Sequence, residues 1–307
     1  MPDLMEGLDV LAALKGTDKV LLDTVMQPEV LEQQMQQIND IYFKVFDELY
    51  DIIREGDEMA FCYFSSWAPG KMSKLQSDIS TMISEDDYRR FVQPFIREQC
   101  QKIDYTLYHL DGVGAMHHLP ALLEIEELNA IQWTPGVGEP QGGSPKWYDL
   151  YKKILAGGKS IMACWVTLDE LKPLLDNIGA DGVHLEMDFH NEQEVEQAMR
   201  IVEEYSSSSP AASKESLSKE EAAATKQETI IIKSPEAAED EALKPLFNAI
   251  VDGKLEPAVE VTKKAIAEGI QPQEIINNYM IKAMGEVGQR FQDGKAFVPQ
   301  LLMAGRA

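Results

Sequence analysis

Basic residues and cysteines are scarce in this chain of 307 residues. It has 28 Lys and Arg against 52 Asp and Glu, which gives a formal net charge of −24. Such a surface repels phosphate, and this argues against nucleic acid or an anionic membrane face as a partner. The three cysteines, Cys62, Cys100 and Cys164, are widely spaced and form no Cys-x-x-Cys pair. This pattern excludes a dense disulfide framework and predicts a reducing, cytoplasmic location.

Long apolar runs are also missing. No stretch is long enough to span a bilayer, and the N-terminus, Met1-Pro2-Asp3, lacks the basic region and apolar run of a signal peptide. The sequence therefore predicts no membrane partner. The hydrophobic content of 44% suffices for a sizeable core, and the length allows about two domains.

Residues 1–205 alternate strand-like and helix-like segments. A long amphipathic helix is predicted over 28–54, and an apolar run favours a buried strand over 58–66. Further strands, each followed by a helix, are predicted over 104–109, 130–133, 160–164 and 182–187. Repeated strand–helix units indicate parallel pairing and an α/β fold. A doubly wound sheet and a barrel both fit, although the strands are fewer than the roughly eight of a closed barrel.

The composition changes at residue 206. Residues 206–238 open on a serine run and continue rich in Ala, Lys and Glu, which cannot bury a core and predicts a flexible linker. Over residues 239–307 apolar side chains recur at helical spacing, with breaks at Asp252-Gly253 and Asp293-Gly294. This second module is predicted to be a small all-α bundle.

The carboxyl ends of parallel strands carry the chemistry in α/β folds. His109 and Asp111 are two apart at one such end, and His184 and Glu186 are two apart at another, so each pair shares a face. We expect His109, Asp111 and Glu186 to form a catalytic metal site of three ligands with one open position, suited to zinc. Asp111-Gly112 is also an ordinary turn pair, and a buried His109 can simply hydrogen-bond its neighbours.

Other polar and aromatic residues at the same strand ends could line a substrate pocket. The candidates are Trp67, Gln132, Trp133, Cys164 and His184. Core packing is the alternative for both tryptophans, and a lone cysteine is more often a core residue than a ligand or nucleophile.

Residues from about 8 to 205 resemble the later part of a uroporphyrinogen decarboxylase-like barrel. The motifs that carry the resemblance are Trp67-Ala68-Pro69-Gly70, Gln76-Ser77-Asp78, Phe91-Val92-Gln93-Pro94, Tyr108-His109-Leu110-Asp111-Gly112 and Ile131-Gln132-Trp133-Thr134-Pro135-Gly136. The superfamily contains the decarboxylase and the zinc-dependent methyltransferases that serve corrinoid proteins. It implies a partial (β/α) TIM-type barrel.

Residues 242–307 resemble the helical cap that precedes a cobalamin-binding domain in methionine synthase and corrinoid proteins. The motifs are Met284-Gly285-Glu286-Val287-Gly288-Gln289-Arg290-Phe291, Gly294 and Phe297-Val298-Pro299-Gln300-Leu301-Leu302. The resemblance implies cobalamin as cofactor, with Met284, Val287 and Phe291 covering the upper face of the corrin. The core of a helix bundle is the alternative role for these side chains.

Together the resemblances imply a corrinoid-dependent methyltransferase acting on a small-molecule methyl donor or acceptor. Only five arginines occur in residues 1–205, which disfavours a polycarboxylate porphyrinogen substrate. The zinc methyltransferases carry His-x-Cys where this chain has His109-x-Asp111, and a late cysteine where Glu186 is nearest. Hard oxygen ligands hold zinc less softly, so a bound water or another donor is as plausible as a thiol.

The resemblances also predict that the chain is a fragment. The barrel family has further strands before the matched part. The cap family continues into a Rossmann-like domain with an Asp-x-His-x-x-Gly motif that this sequence lacks. A corrinoid protein, or the missing corrinoid domain, is therefore the expected partner, and the chain alone is expected to bind corrinoid weakly or not at all. A non-catalytic corrinoid-handling protein and a decarboxylase-like lyase are the alternatives.

Overall fold

A computed structural model describes residues 3–5, 7–61, 64–206 and 243–307, without the side chains of Phe61 and Ser206. These residues fall into two compact units, one made chiefly of the residues up to 206 and one made chiefly of the residues from Leu243 onward. Most of the predicted linker over 206–238 lies outside the described residues, as does Cys62. No helix in the described part of the chain is long and apolar enough to cross a membrane.

Three helices open the first unit: α1 (Gly7–Lys15), α2 (Thr17–Met26) and α3 (Pro28–Ile53). The predicted helix over 28–54 is confirmed as α3, and Pro28 at its start needs no intrahelical N–H partner. The buried stripe of α3 recurs every three or four residues and consists of Leu31, Met35, Asn39, Tyr42, Phe46 and Tyr50. This spacing places the whole stripe on one helix face against the core.

Seven strands follow in the described part of the first unit. β1 (Met59–Phe61) and β2 (Ser66–Ala68) pair antiparallel. The other strands are β3 (Met72–Leu75), β4 (Tyr105–Asp111), β5 (Ala130–Thr134), β6 (Ser160–Ala163) and β7 (Val183–Leu185). They form one parallel sheet in the order β3-β4-β5-β6-β7.

The prediction of one buried strand over 58–66 is wrong. That segment contributes to the β1–β2 pair, and the first strand of the parallel sheet is β3, which the sequence reading missed. The reason is the polar content of β3, where Ser73 and Lys74 are both buried. The side chain of Lys74 is only 1% exposed, and its Nζ lies 2.5 Å from Asp3. Such pairing allows a lysine in a buried strand.

Helices connect successive strands of the sheet. They are α4 (Glu85–Phe91), α5 (Gln93–Lys102), α6 (Leu119–Leu123), α7 (Tyr148–Ala156) and α8 (Leu168–Ile178), and α9 (Glu192–Ser206) follows β7. The predicted α/β class with a parallel sheet is therefore confirmed. The sheet is open, since within the described residues no strand joins β7 back to β3.

The second unit is all helical, as predicted. It contains α10 (Lys244–Val251), α11 (Leu255–Ala267), α12 (Pro272–Ile275), a π-helical turn over Ile276–Met280, α13 (Ile281–Gln292) and α14 (Val298–Arg306). Its core is made of small and branched side chains around Leu246, Tyr279 and Val287. Gly253 and Gly294, in the two predicted breaks, have φ values of +68° and +69°, which glycine adopts without strain.

Candidate functional site

The inner face of the parallel sheet carries the predicted polar residues in rows. Strand register aligns His109 with Gln132, Gln132 with Met162, and Met162 with His184. Asp111 lies opposite Thr134, one row nearer the carboxyl ends. Because paired residues of parallel strands point to the same face, His109 and Asp111 share it with Gln132.

Asp78 joins this face from the segment that follows β3. One ligand atom from each of Asp78, His109 and Asp111 lies within 4.8 Å of the others. Asp78 is exposed, whereas His109 and Asp111 are half-buried. Among the described residues this is the group whose donor atoms could hold a metal ion, and Glu186 does not belong to it. The position of the motif Gln76-Ser77-Asp78 is not predictable from the sequence, because β3, the strand that precedes it, has a polar sequence.

Negative charge accumulates at this cluster. Asp9, on α1, accepts hydrogen bonds from the backbone N–H of Asp78 at 2.9 Å and of Ile79 at 3.0 Å, which fixes the chain after β3. Although Asp78 is exposed as a whole residue, partial removal of its carboxyl from water raises the pKa of that carboxyl above its usual value. Asp9 and Asp111 raise this pKa further, while His109 lowers it. Burial also raises the pKa of Asp9. The cluster therefore favours a positive charge placed among its oxygens.

Gln132 sets the tautomer of His109. The Nδ1 of His109 contacts the Oε1 of Gln132, and an amide oxygen can only accept a hydrogen bond. Nδ1 therefore carries the proton, and Nε2 keeps a lone pair for a ligand. The Gln132 amide is itself fixed, since its Nε2 donates to Thr134 Oγ1 at 2.8 Å and to Cys164 Sγ at 3.1 Å. Gln132 is fully buried.

Cys164 and Glu186 form a separate pair at the same edge of the sheet. Burial raises the pKa of the Cys164 thiol to about 12, a hydrogen bond with Glu186 raises it too, and Gln132 lowers it. Two hydrogen bonds fix the backbone of Glu186 beside β6 and the loop that follows it. The Glu186 N–H donates to Ala163 O at 2.9 Å, and the Glu186 carbonyl accepts from the Val166 N–H at 3.1 Å. At neutral pH the thiol is protonated, and Gln132 links this pair to His109.

The predicted pocket residues do not all line one pocket in the structure. Trp67 and His184 line one cavity of about 450 Å³ together with Leu107 and Met162, on the inner face toward the amino ends of the strands. Trp133 follows Gln132 on β5 and therefore points to the opposite face. It is fully buried, with its ring centroid 5.1 Å from that of Trp147.

The predicted corrin-covering side chains all lie on α13 but differ in exposure. Val287 is buried in the core of the second unit, and Met284 is half-buried against that core. Phe291 is 43% exposed at the end of the helix. Exposure therefore distinguishes Phe291, which is free to contact a ligand, from Val287, which packs the bundle.

Comparison with known proteins concerns this second unit. Residues 242–307 match the family described as B12 binding domain. This match confirms the predicted cobalamin-binding character of the helical module, and it ends short of the first unit, whose resemblance stays a prediction. No solved structure matches the chain.

Curated proteins similar to this chain include corrinoid proteins of Methanosarcina species. Trimethylamine corrinoid protein 1 of Methanosarcina acetivorans is 38% identical over 71 residues, 23% of this chain and 33% of that protein. The dimethylamine corrinoid protein of Methanosarcina barkeri is 39% identical over 70 residues, 23% and 32% of the two chains. Monomethylamine corrinoid protein 1 of Methanosarcina mazei is 33% identical over 70 residues, with the same coverage. The chain thus spans about a third of the length of these relatives.

Proposed function

We propose that this chain acts in corrinoid-dependent methyl transfer, with the first unit binding the methyl donor or acceptor and the second unit contacting cobalamin. The observation that carries the proposal is the presence, in one chain, of a B12 binding domain match and a parallel sheet with a polar cluster at its carboxyl edge. A helical module alone would suit a carrier protein. The additional α/β unit with its own cluster favours an enzyme.

The strand order supports a barrel-type first unit. Each strand of the parallel sheet is added beside the one before it, without the reversal that marks the ligand-binding crevice of a doubly wound sheet. A sheet of this order is what a segment of a TIM-type barrel would have. In such barrels the site lies at the carboxyl ends of the strands, where His109 and Asp111 are.

The residues of the first unit have distinct parts in the proposed reaction. The reacting atom of the substrate would be held near His109 and Asp111, where half-burial strengthens electrostatic contacts. Cys164 would serve as a neutral hydrogen-bonding group, because a thiol with a pKa near 12 is not a nucleophile at neutral pH. The cavity beside Trp67 and His184 would take the apolar part of the substrate.

In the second unit, the exposed Phe291 and the half-buried Met284 would cover the corrin. An apolar cover excludes water from a reactive centre and so limits side reactions. When bound, cobalamin supplies the methyl-carrying centre. The printed names of the relatives make methylated amines one class of donor to test.

The proposal is tested by mixing the full chain with reduced cobalamin and, in turn, methylamines, methanol, aryl methyl ethers and methyl thioethers. Formation of methylcobalamin is followed by absorbance. At least one donor class is expected to methylate cobalamin faster with the chain present than without it. If no donor reacts, even after a corrinoid domain of the matched family is added in trans, the methyltransferase proposal is refuted and a non-catalytic corrinoid-handling role is favoured.

A further inference from the structure

The cluster of Asp78, His109 and Asp111 contains two carboxylates and one imidazole ring, which Gln132 orients. The carboxylate of Asp9 lies behind it, hydrogen-bonded to the backbone of Asp78. In the described part of the chain Lys74 is a cation near the cluster, and its Nζ contacts Asp3 at 2.5 Å and donates to Gln76 Oε1. The carboxylates of Asp9, Asp78 and Asp111 therefore outnumber the cations recorded near them among the described residues.

We propose that Asp78, His109 and Asp111 bind one divalent cation that prefers oxygen ligands, and that its open positions take an oxygen atom of the substrate. The ligand set differs from the one the sequence suggested, because Asp78 replaces Glu186. A site of two carboxylates and one imidazole suits Mn²⁺ and similar ions, whereas thiolate-rich sites suit soft ions.

The distances permit such a site with little adjustment. Oxygen and nitrogen ligands lie about 2.0–2.2 Å from a first-row divalent cation, so two of them are at most about 4.4 Å apart. The three ligand atoms lie within 4.8 Å of one another without an ion. Contraction by a few tenths of an ångström, chiefly at the exposed Asp78, closes the site.

Gln132 is the positioning residue of this site. Because Gln132 accepts a hydrogen bond from Nδ1 of His109, Nε2 of His109 is left unprotonated. The Gln132 amide is itself fixed by hydrogen bonds to Thr134 and Cys164, so it also fixes the orientation of the imidazole ring. Partners that orient a ligating histidine in this way typically change metal affinity about 10–100-fold when removed. Gln132 would act through His109 and not by touching the ion.

The cation defines a substrate class, and this part rests on the proposed function. Two carboxylates around a divalent ion leave a nearly neutral, hard centre that stabilises negative charge on oxygen. The corresponding donor carries its methyl group on oxygen. If both groups are bound, the cation would stabilise the electron pair left on the donor oxygen when the C–O bond breaks, and reduced cobalamin would supply the electron pair for the new bond to the methyl group.

The site is tested by Mn²⁺ titration of the chelator-treated full chain, followed by electron paramagnetic resonance. The wild type is expected to bind one Mn²⁺ per chain. Asp78→Asn should weaken binding at least 10-fold, and Gln132→Leu about 10–100-fold. Glu186→Gln removes the same charge from the residue outside the cluster and should leave Mn²⁺ affinity unchanged. Circular dichroism checks that each variant is folded.

Two results would overturn the site: a wild type without stoichiometric Mn²⁺, or a loss of binding in Glu186→Gln but not in Asp78→Asn. The substrate class fails if methylamines react and O-methyl donors do not. If Mn²⁺ binds as expected and no donor of any class reacts, the metal site stands and the proposed function fails.

Discussion

The hydrogen-bond network around Gln132 makes a testable prediction about which nitrogen of His109 carries the proton. Replacing Gln132 by Leu keeps the side-chain volume and removes one acceptor, toward His109, and two donors, toward Thr134 and Cys164. Each such bond contributes about 0.5–1.5 kcal/mol net. Because Gln132 is fully buried, we expect Gln132→Leu to lower the free energy of unfolding by about 2–3 kcal/mol.

The tautomer itself is read by ¹⁵N NMR of histidine-labelled protein. In the wild type, Nδ1 of His109 is expected to carry the proton. Loss of one hydrogen bond of about 1 kcal/mol should shift the tautomer ratio roughly fivefold toward Nε2–H in Gln132→Leu. Gln132→Glu is the matched control, since its carboxylate still accepts from Nδ1 and should preserve the wild-type tautomer. An Nε2–H tautomer in the metal-free wild type would refute the reasoning.

The remaining predictions concern charge, reactivity and packing. Asp78→Asn should stabilise the metal-free chain at neutral pH by at most about 1 kcal/mol. The pKa of Asp78 is raised in the folded state, so ionising this carboxyl at neutral pH costs stability that the neutral Asn does not lose. Below the pKa of the unfolded state the gain should vanish, and thermal melts at pH 7 and pH 3 test this. Cys164, with a pKa of about 12, should resist iodoacetamide at pH 7, and mass spectrometry should show alkylation rising up to pH 10; rapid labelling at pH 7 would contradict this. Gly253→Ala should lower the free energy of unfolding in urea by about 2–3 kcal/mol, because φ is +68° and the new Cβ would lie 2.6 Å from Met303 Cβ. In the control Gly285→Ala the new Cβ meets nothing within 4 Å, so the stability should be unchanged or higher.

Elements with a clear period could be predicted from the sequence. The helix α3 shows an apolar stripe over its whole length, and β4 to β7 each begin within a residue of the predicted start. Ser84 is a favourable N-cap residue for α4, and its Oγ accepts from the Asp87 N–H at 3.1 Å. In these segments local chemistry and tertiary packing favour the same structure.

The site was predicted only in part, because it depends on a strand whose sequence does not look like one. Ser73 and Lys74 conceal β3, and without β3 the position of Asp78 could not be known. The sequence favours Glu186 as the third ligand, because Glu186 shares a strand face with His184. Whether its side chain turns toward His109 or toward Cys164 is decided by side-chain packing at the sheet edge, which strand alternation does not encode.

The position of Trp133 also could not be predicted from the sequence alone. Its position next to Gln132 at a strand end is compatible with a pocket, but adjacent residues of a strand face opposite ways. One of the two had to face the helices, and the larger apolar ring is buried there against Trp147.

The central claim, that the α/β unit performs chemistry for the cobalamin unit, is tested most directly by the rate of methylcobalamin formation in two variants. With the O-methyl donor that reacts best, the account predicts that His109→Ala lowers the rate about 100-fold or more. Phe291→Ala, in the other unit, should lower it less and raise the cobalamin concentration needed for half-maximal rate. An unchanged rate in His109→Ala, with the protein folded and cobalamin saturating, would contradict the account.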